Sequence, residues 1–203
     1  MAEENELVGE QRKFLQKIAE QKGNLYVSGF PGSGKSVCLI YAVEKIRKLY
    51  PNATILFVEF THSLIKMIEA SLAKINVTDI RVVTFANFKK NYRGIYDFII
   101  CDEIQDSTKS LLELMKQRAK RVIVGGDSNQ SIYQELDNEP TLKQEEILKI
   151  LSIDSSETDQ RFHQLTIIHR LSKYVIKGIS SFLPEMKILA AKTSMIKKHK
   201  PIY

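Results

Sequence analysis

Short apolar runs recur along the chain, each closed by glycine or by polar and charged residues, and between them hydrophobic positions repeat at helical spacing. Short apolar runs bounded by turn residues read as strands, and their alternation with helical segments predicts parallel strands joined by crossover helices. The expected strands are NLYVSG (24–29), TILFVEF (54–60), IRVVTF (80–85), DFIIC (97–101) and RVIVGG (121–126). Val37, Ile40 and Tyr41 share one helical face, as do Leu64, Ile68 and Leu72, and further on Leu171, Val175 and Ile179. The polar stretch DNEPTLKQEE (137–146) reads as a loop leading into a helix and not as a linker between domains. The pattern thus predicts an α/β sandwich with a mainly parallel central sheet. In such sheets ligands lie beyond the carboxyl ends of the strands, which is where chemistry is to be sought.

Composition narrows this picture only a little. A length of 203 residues suits one domain, and 43% hydrophobic with 27% charged residues excludes disordered and collagen-like classes. The net charge of +6 is compatible with a polyanionic partner without pointing to one. Cys38 and Cys101 both sit within apolar stretches and lack metal-ligand spacing, so they read as buried thiols of a reducing compartment. No apolar run approaches membrane length, and MAEENEL lacks the basic start and apolar core of a signal peptide, so the expected location is cytoplasmic with no membrane partner.

The first expected strand ends at GFPGSGKS (29–36), which satisfies G-x-x-x-x-G-K-[ST] between a strand and a helix, the context that motif requires. Its glycines let backbone N–H groups turn inward around phosphate oxygens, with the positive end of the following helix behind them. Gly29, Pro31, Gly32, Ser33 and Gly34 are therefore candidate phosphate-binding residues. Lys35 is expected to reach the β- and γ-phosphates and Ser36 to ligate magnesium, so ATP with Mg2+ is the implied ligand.

The run Phe98, Ile99, Ile100 leads straight into CDEIQD (101–106), where carboxylates crowd one another. A metal-bound nucleotide explains the crowding, because a carboxylate at a neighbouring strand end must hold the cation. Asp102 is the candidate for that role. Glu103, one residue on, is the candidate that orients and deprotonates the attacking water.

DEIQD (102–106) followed by VGGDSNQSIY (124–133) resembles the paired motifs of superfamily 1 helicases of the UvrD, Rep and PcrA type. EQRKFL resembles the family's Q motif, VEFTHSL (58–64) and VTF (83–85) its nucleic-acid motifs, and IIHRLSKYVI (167–176) its arginine motif and helix. The resemblance covers nearly the whole chain and implies the first of two RecA-like domains, a P-loop NTPase built as a three-layer sandwich over residues 1–203. It further implies that Gln11 reads the adenine edge, that His169 stands where an adenine-stacking tyrosine belongs, and that Gln130 and Arg170 contact the γ-phosphate. Phe60 and Tyr133 take the positions of base-stacking aromatics, with Thr61, His62 and Thr84 as backbone contacts to single-stranded DNA, RNA not being excluded. Too few residues separate TFANF from YDFII for the helical insertion of UvrD-type enzymes, and nothing after Arg170 resembles a second RecA-like domain, so a fragment of a larger motor is expected. The implied function is the ATP-hydrolysing motor domain of a DNA helicase or translocase. A different reading, a nucleotide-gated regulatory module that moves along no strand, draws on the missing insertion and on Glu135, an anion where the family has tryptophan.

Overall fold

The structure, a computed structural model, describes residues 7, 9–127, 135–136, 138–154 and 159–169, and the backbone of 189–190. Helix α1 (Gly9–Glu20) precedes β1 (Leu25–Gly29), α2 (Lys35–Leu49), β2 (Ile55–Glu59), α3 (His62–Lys74), β3 (Arg81–Thr84), α4 (Phe85–Asn91) and β4 (Tyr96–Cys101). A 3-10 turn (Ile104–Asp106) leads to α5 (Lys109–Arg118) and β5 (Ala119–Gly126). The pairs β6 (Glu135–Leu136) and β7 (Glu139–Pro140) are followed by α6 (Gln144–Leu151), β8 (Phe162–Leu165), β9 (Ile167–Ile168) and β10 (Leu189–Ala190).

Six strands form one sheet in the order β3-β2-β4-β5-β1-β8, parallel at every pairing. Successive strand side chains point to opposite faces, so each strand supplies two cores. Ile55 and Phe57 of β2, with Phe98 and Ile100 of β4, pack under α1, α2 and α3. Leu56 and Val58, with Ile99 and Cys101, pack under α4, α5 and α6. A sheet covered on both faces has no polar side to show, which is why these strands read as unbroken apolar runs. The result is the three-layer α/β sandwich expected.

All five expected strands are present, with ends shifted by no more than two residues. Two of the expected helical faces belong to α2 and α3, where Ile40, Tyr41, Ile68 and Leu72 are buried. The face Leu171, Val175 and Ile179 lies outside the described residues. A sixth strand of the main sheet, β8, pairs with β1 at the edge (Tyr26 opposite Phe162, Gly29 opposite Leu165). Its sequence FHQL has no apolar run because an edge strand has one sheet neighbour and is only half covered. Cys38 and Cys101 are buried free thiols. Among the described residues no helix is long and apolar enough to cross a membrane.

Candidate functional site

The loop after β1 turns directly into α2, with Gly34 as the N-cap at φ 94° and no side-chain cap bond. A left-handed residue is needed there, and a Cβ would collide with Gln11 Nε2. The first N–H groups of α2 therefore stay without intrahelical partners at the positive end of the helix dipole. Lys35 is buried, its Nζ donating to the Gly29 carbonyl at 2.7 Å and to the Phe30 carbonyl at 3.4 Å, so the ammonium lies over the loop. Two loop carbonyls are held from outside: Gln11 Nε2 donates to Ser33 at 3.1 Å, and the His169 N–H donates to Gly32 at 2.9 Å. Across the Ser33–Gly34 peptide plane the N–H of Gly34 points away from Gln11, because carbonyl and amide are trans. Ser33 Oγ and His169 Nε2 are buried without a hydrogen-bond partner among the described residues.

The acidic side of the site does not lie on the adjacent strand, as the sequence suggested; β5 runs between β1 and β4. Asp102 reaches past it at Gly125, where a Cβ would stand 3.2 Å from Asp102 Oδ1 and 2.8 Å from Leu39 Cδ1. Bare backbone at that position lets the Asp102 carboxylate approach the Ser36 hydroxyl closely enough for the hydroxyl to stabilise its charge. Burial, and then the charge of Glu103, push the Asp102 carboxyl above its ordinary range, while the Ser36 hydroxyl, the Glu103 N–H and Lys35 oppose the shift. Glu103 sits in the left-handed region at φ 51°, its N–H donating to Asp102 Oδ1 at 3.0 Å. Such a conformation costs on the order of 1–3 kcal/mol and persists where the surroundings over-determine it.

Two residues of this cluster had no assigned role in the sequence. Gln105 is buried in the 3-10 turn; its Nε2 donates to Glu103 Oε2 at 2.7 Å, and its Oε1 accepts from the Asp127 N–H at 3.0 Å. One amide thus joins the candidate base to the exit of β5. Glu59, at the end of β2, is 1% exposed and accepts from the Phe60 N–H at 2.7 Å. Burial, and then the charge of Asp102, raise its pKa strongly. The only signal for Glu59 in the sequence was an acid ending an apolar strand, which strand-exit turns commonly show.

The nucleic-acid candidates line the same rim, beyond β2 and β3. The Phe60 ring meets Phe85 edge-on at 5.5 Å. The Thr61 and Thr84 hydroxyls cap α3 and α4, accepting from the N–H groups of Leu64 and Asn87, and Thr84 is buried. His62, the first residue of α3, is exposed. Pro31 is exposed at the outer bend of the phosphate loop. Gln130, Tyr133 and Arg170 lie outside the described residues.

The glycine-rich loop, the buried Lys35 ammonium and the buried Asp102 carboxylate thus converge on one rim of the sheet. Residues 11–135 match the model of a family described as AAA domain. The solved arterivirus nonstructural protein 10 helicase is 19% identical with a TM-score of 0.55, covering 90% of this chain and 44% of that one. The Candida albicans Pif1 helicase is 19% identical with a TM-score of 0.53, covering 86% and 43%. A Bacteroides Pif1 solved bound to single-stranded DNA is 18% identical with a TM-score of 0.50, covering 90% and 47%. The chain thus spans less than half the length of each of these helicases. It belongs to the AAA domain family, and its fold is the RecA-like P-loop fold that these helicases share.

Proposed function

We propose that this chain is the ATP-binding motor domain of a superfamily 1 helicase or translocase, hydrolysing ATP and coupling its nucleotide state to single-stranded DNA. The observation that carries the reading is the convergence of Lys35, Ser36 and Asp102 across the bare backbone of Gly125. Buried Ser33 Oγ and the uncapped start of α2 suit phosphate oxygens, and the buried Asp102 carboxylate beside a hydroxyl suits Mg2+. Among the described residues no cluster of three or more His, Cys, Asp or Glu side chains is built to hold a metal ion, so phosphates and water would complete its ligands.

Ser36 and Asp102 would hold the ion, which when bound neutralises charge on the β- and γ-phosphate oxygens. Lys35 then leaves the Gly29 and Phe30 carbonyls for the phosphates. Glu103, oriented by Gln105, accepts a proton from the attacking water. Gln130 and Arg170 are proposed to meet the γ-phosphate on the strength of the motif resemblance. Gln11 supports the loop from behind through Ser33 and is proposed to meet the base edge beside His169.

The DNA half of the reading is supported by the rim of Phe60, Thr61, His62 and Thr84 and by the likeness to a helicase solved with single-stranded DNA. Because the chain spans 44% of the arterivirus helicase, we further propose that a second RecA-like domain supplies the other wall of the cleft. Calorimetry should give heat with ATP-Mg, little after chelation of the metal, and none in Lys35→Ala, with slow turnover by this chain alone. Absence of heat in the wild type refutes the nucleotide reading.

One observation favours a regulatory module that moves along no strand: α4 ends at Asn91 and β4 begins at Tyr96, a connection too short for an inserted domain. Anisotropy with labelled single-stranded DNA at two salt concentrations separates the readings, since a strand binder weakens steeply as salt rises.

A further inference from the structure

Two neighbouring side chains at the start of α1 grip two different walls of the site. Consecutive residues of a helix point about 100° apart, so adjacent positions can serve separate neighbours. Gln11 holds the phosphate loop through the Ser33 carbonyl. Glu10 reaches the other way: its carboxylate accepts from the Thr166 N–H at 2.9 Å, the Thr166 hydroxyl at 2.5 Å and the Ile167 N–H at 3.3 Å. Its carbonyl faces His163 Nε2 at 2.7 Å, and because a carbonyl only accepts, that nitrogen carries the ring proton. Two residues past Ile167, the His169 N–H donates to Gly32. Helix α1, segment 166–169 and the phosphate loop thereby form a closed ring of contacts.

The carboxylate is not needed merely to seat the helix, since Phe14, Leu15 and Ile18 already bury its apolar face. What it does is gather consecutive donors where the chain leaves β8, setting the point from which the chain runs on to His169.

We infer that Glu10 is a positioning residue for the base side of the nucleotide site: through Thr166 and Ile167 it fixes His169 against the phosphate loop, so that recognition of the base depends on Glu10 far more than recognition of the phosphates, whose loop Glu10 reaches only through the His169 N–H on Gly32. This rests on the reading that the loop binds a nucleoside triphosphate. Phosphate contacts come from the loop, the start of α2 and Lys35, none of which Glu10 touches in the structure.

The test compares ATP-Mg with tripolyphosphate-Mg, which carries the phosphates without a base, by calorimetry on the full chain. Glu10→Ala should weaken ATP about tenfold while tripolyphosphate stays within about twofold of wild type. Glu10→Gln, which keeps one acceptor oxygen, should fall between. Equal losses for both ligands would mean general loosening and overturn the inference, as would no change in either. Should Glu10→Ala fail to fold by circular dichroism, Thr166→Val removes one donor and should weaken ATP alone by about threefold, under the same criteria. A wild type that binds neither ligand is a separate outcome, which removes the nucleotide reading itself.

Discussion

Gly125→Ala adds one methyl group where β5 lets Asp102 pass, and its effects can be worked from the structure. The new Cβ would stand 2.8 Å from Leu39 Cδ1, 3.4 Å from Leu39 Cγ and 3.2 Å from Asp102 Oδ1. Gly125 is not in the left-handed region, so the cost is steric and not a matter of backbone strain. Overpacking of this kind costs about 1–3 kcal/mol, of which alanine's lower unfolded-state entropy offsets about 0.4–1. For a chain of this size each kcal/mol moves the melting temperature by about 2–4 °C, so a fall of a few degrees is expected. The functional effect should be larger. Displacing Asp102 by a few tenths of an ångström disturbs its approach to Ser36, and since a hydrogen bond to a charged group is worth about 1.5–3 kcal/mol, a loss of about ten- to hundredfold in magnesium-dependent ATP affinity is expected. Thermal melts and calorimetry with and without Mg2+ read the two effects separately. Adding Leu39→Val removes the contact at 2.8 Å but leaves the one at 3.2 Å, so the pair should recover melting temperature relative to additivity and not recover metal dependence. Wild-type ATP-Mg affinity in Gly125→Ala would refute the idea that bare backbone on β5 is what joins Asp102 to Ser36.

Glu59 has a native pKa raised by burial and by Asp102, so above 4.5, its ordinary value, the folded state binds more protons than the unfolded one and stability declines as pH rises through neutrality. Glu59→Gln should flatten that decline in ligand-free melts; an unchanged slope would show that Glu59 does not carry it. Gln105→Ala should leave ATP-Mg affinity within about twofold while slowing single-turnover hydrolysis about a hundredfold, since Glu103 loses its orienting partner. Loss of binding and hydrolysis together would make Gln105 a purely structural residue. The same variant should melt lower, because removing the amide leaves the buried Asp127 N–H without its acceptor at a cost of about 1–3 kcal/mol.

The strand-exit threonines show how far local spelling carries. Thr61 and Thr84 stand where the family resemblance places nucleic-acid contacts, and their hydroxyls accept hydrogen bonds from the N–H groups of Leu64 and Asn87. A threonine before a helix serves as a cap whatever else it does, so its presence there says little about a ligand. Gln11 likewise sits at its expected place upstream of the phosphate loop, but its amide is turned onto the Ser33 carbonyl.

By itself the sequence determined the five main strands, two of the crossover helices, the phosphate loop and the acid pair. Each of these is written within a few consecutive residues: apolar runs closed by turns, glycines at set spacing, a lysine and serine opening a helix. Only the tertiary structure decided that β5 separates β1 from β4, that Gly125 opens the passage for Asp102, and that β8 completes the edge. Glu10, Glu59 and Gln105 acquire their surroundings in the same way, from partners such as Thr166, Asp102 and Asp127. Strand order is settled by packing and pairing between segments far apart in the chain, and those energies leave no periodicity in the sequence to read.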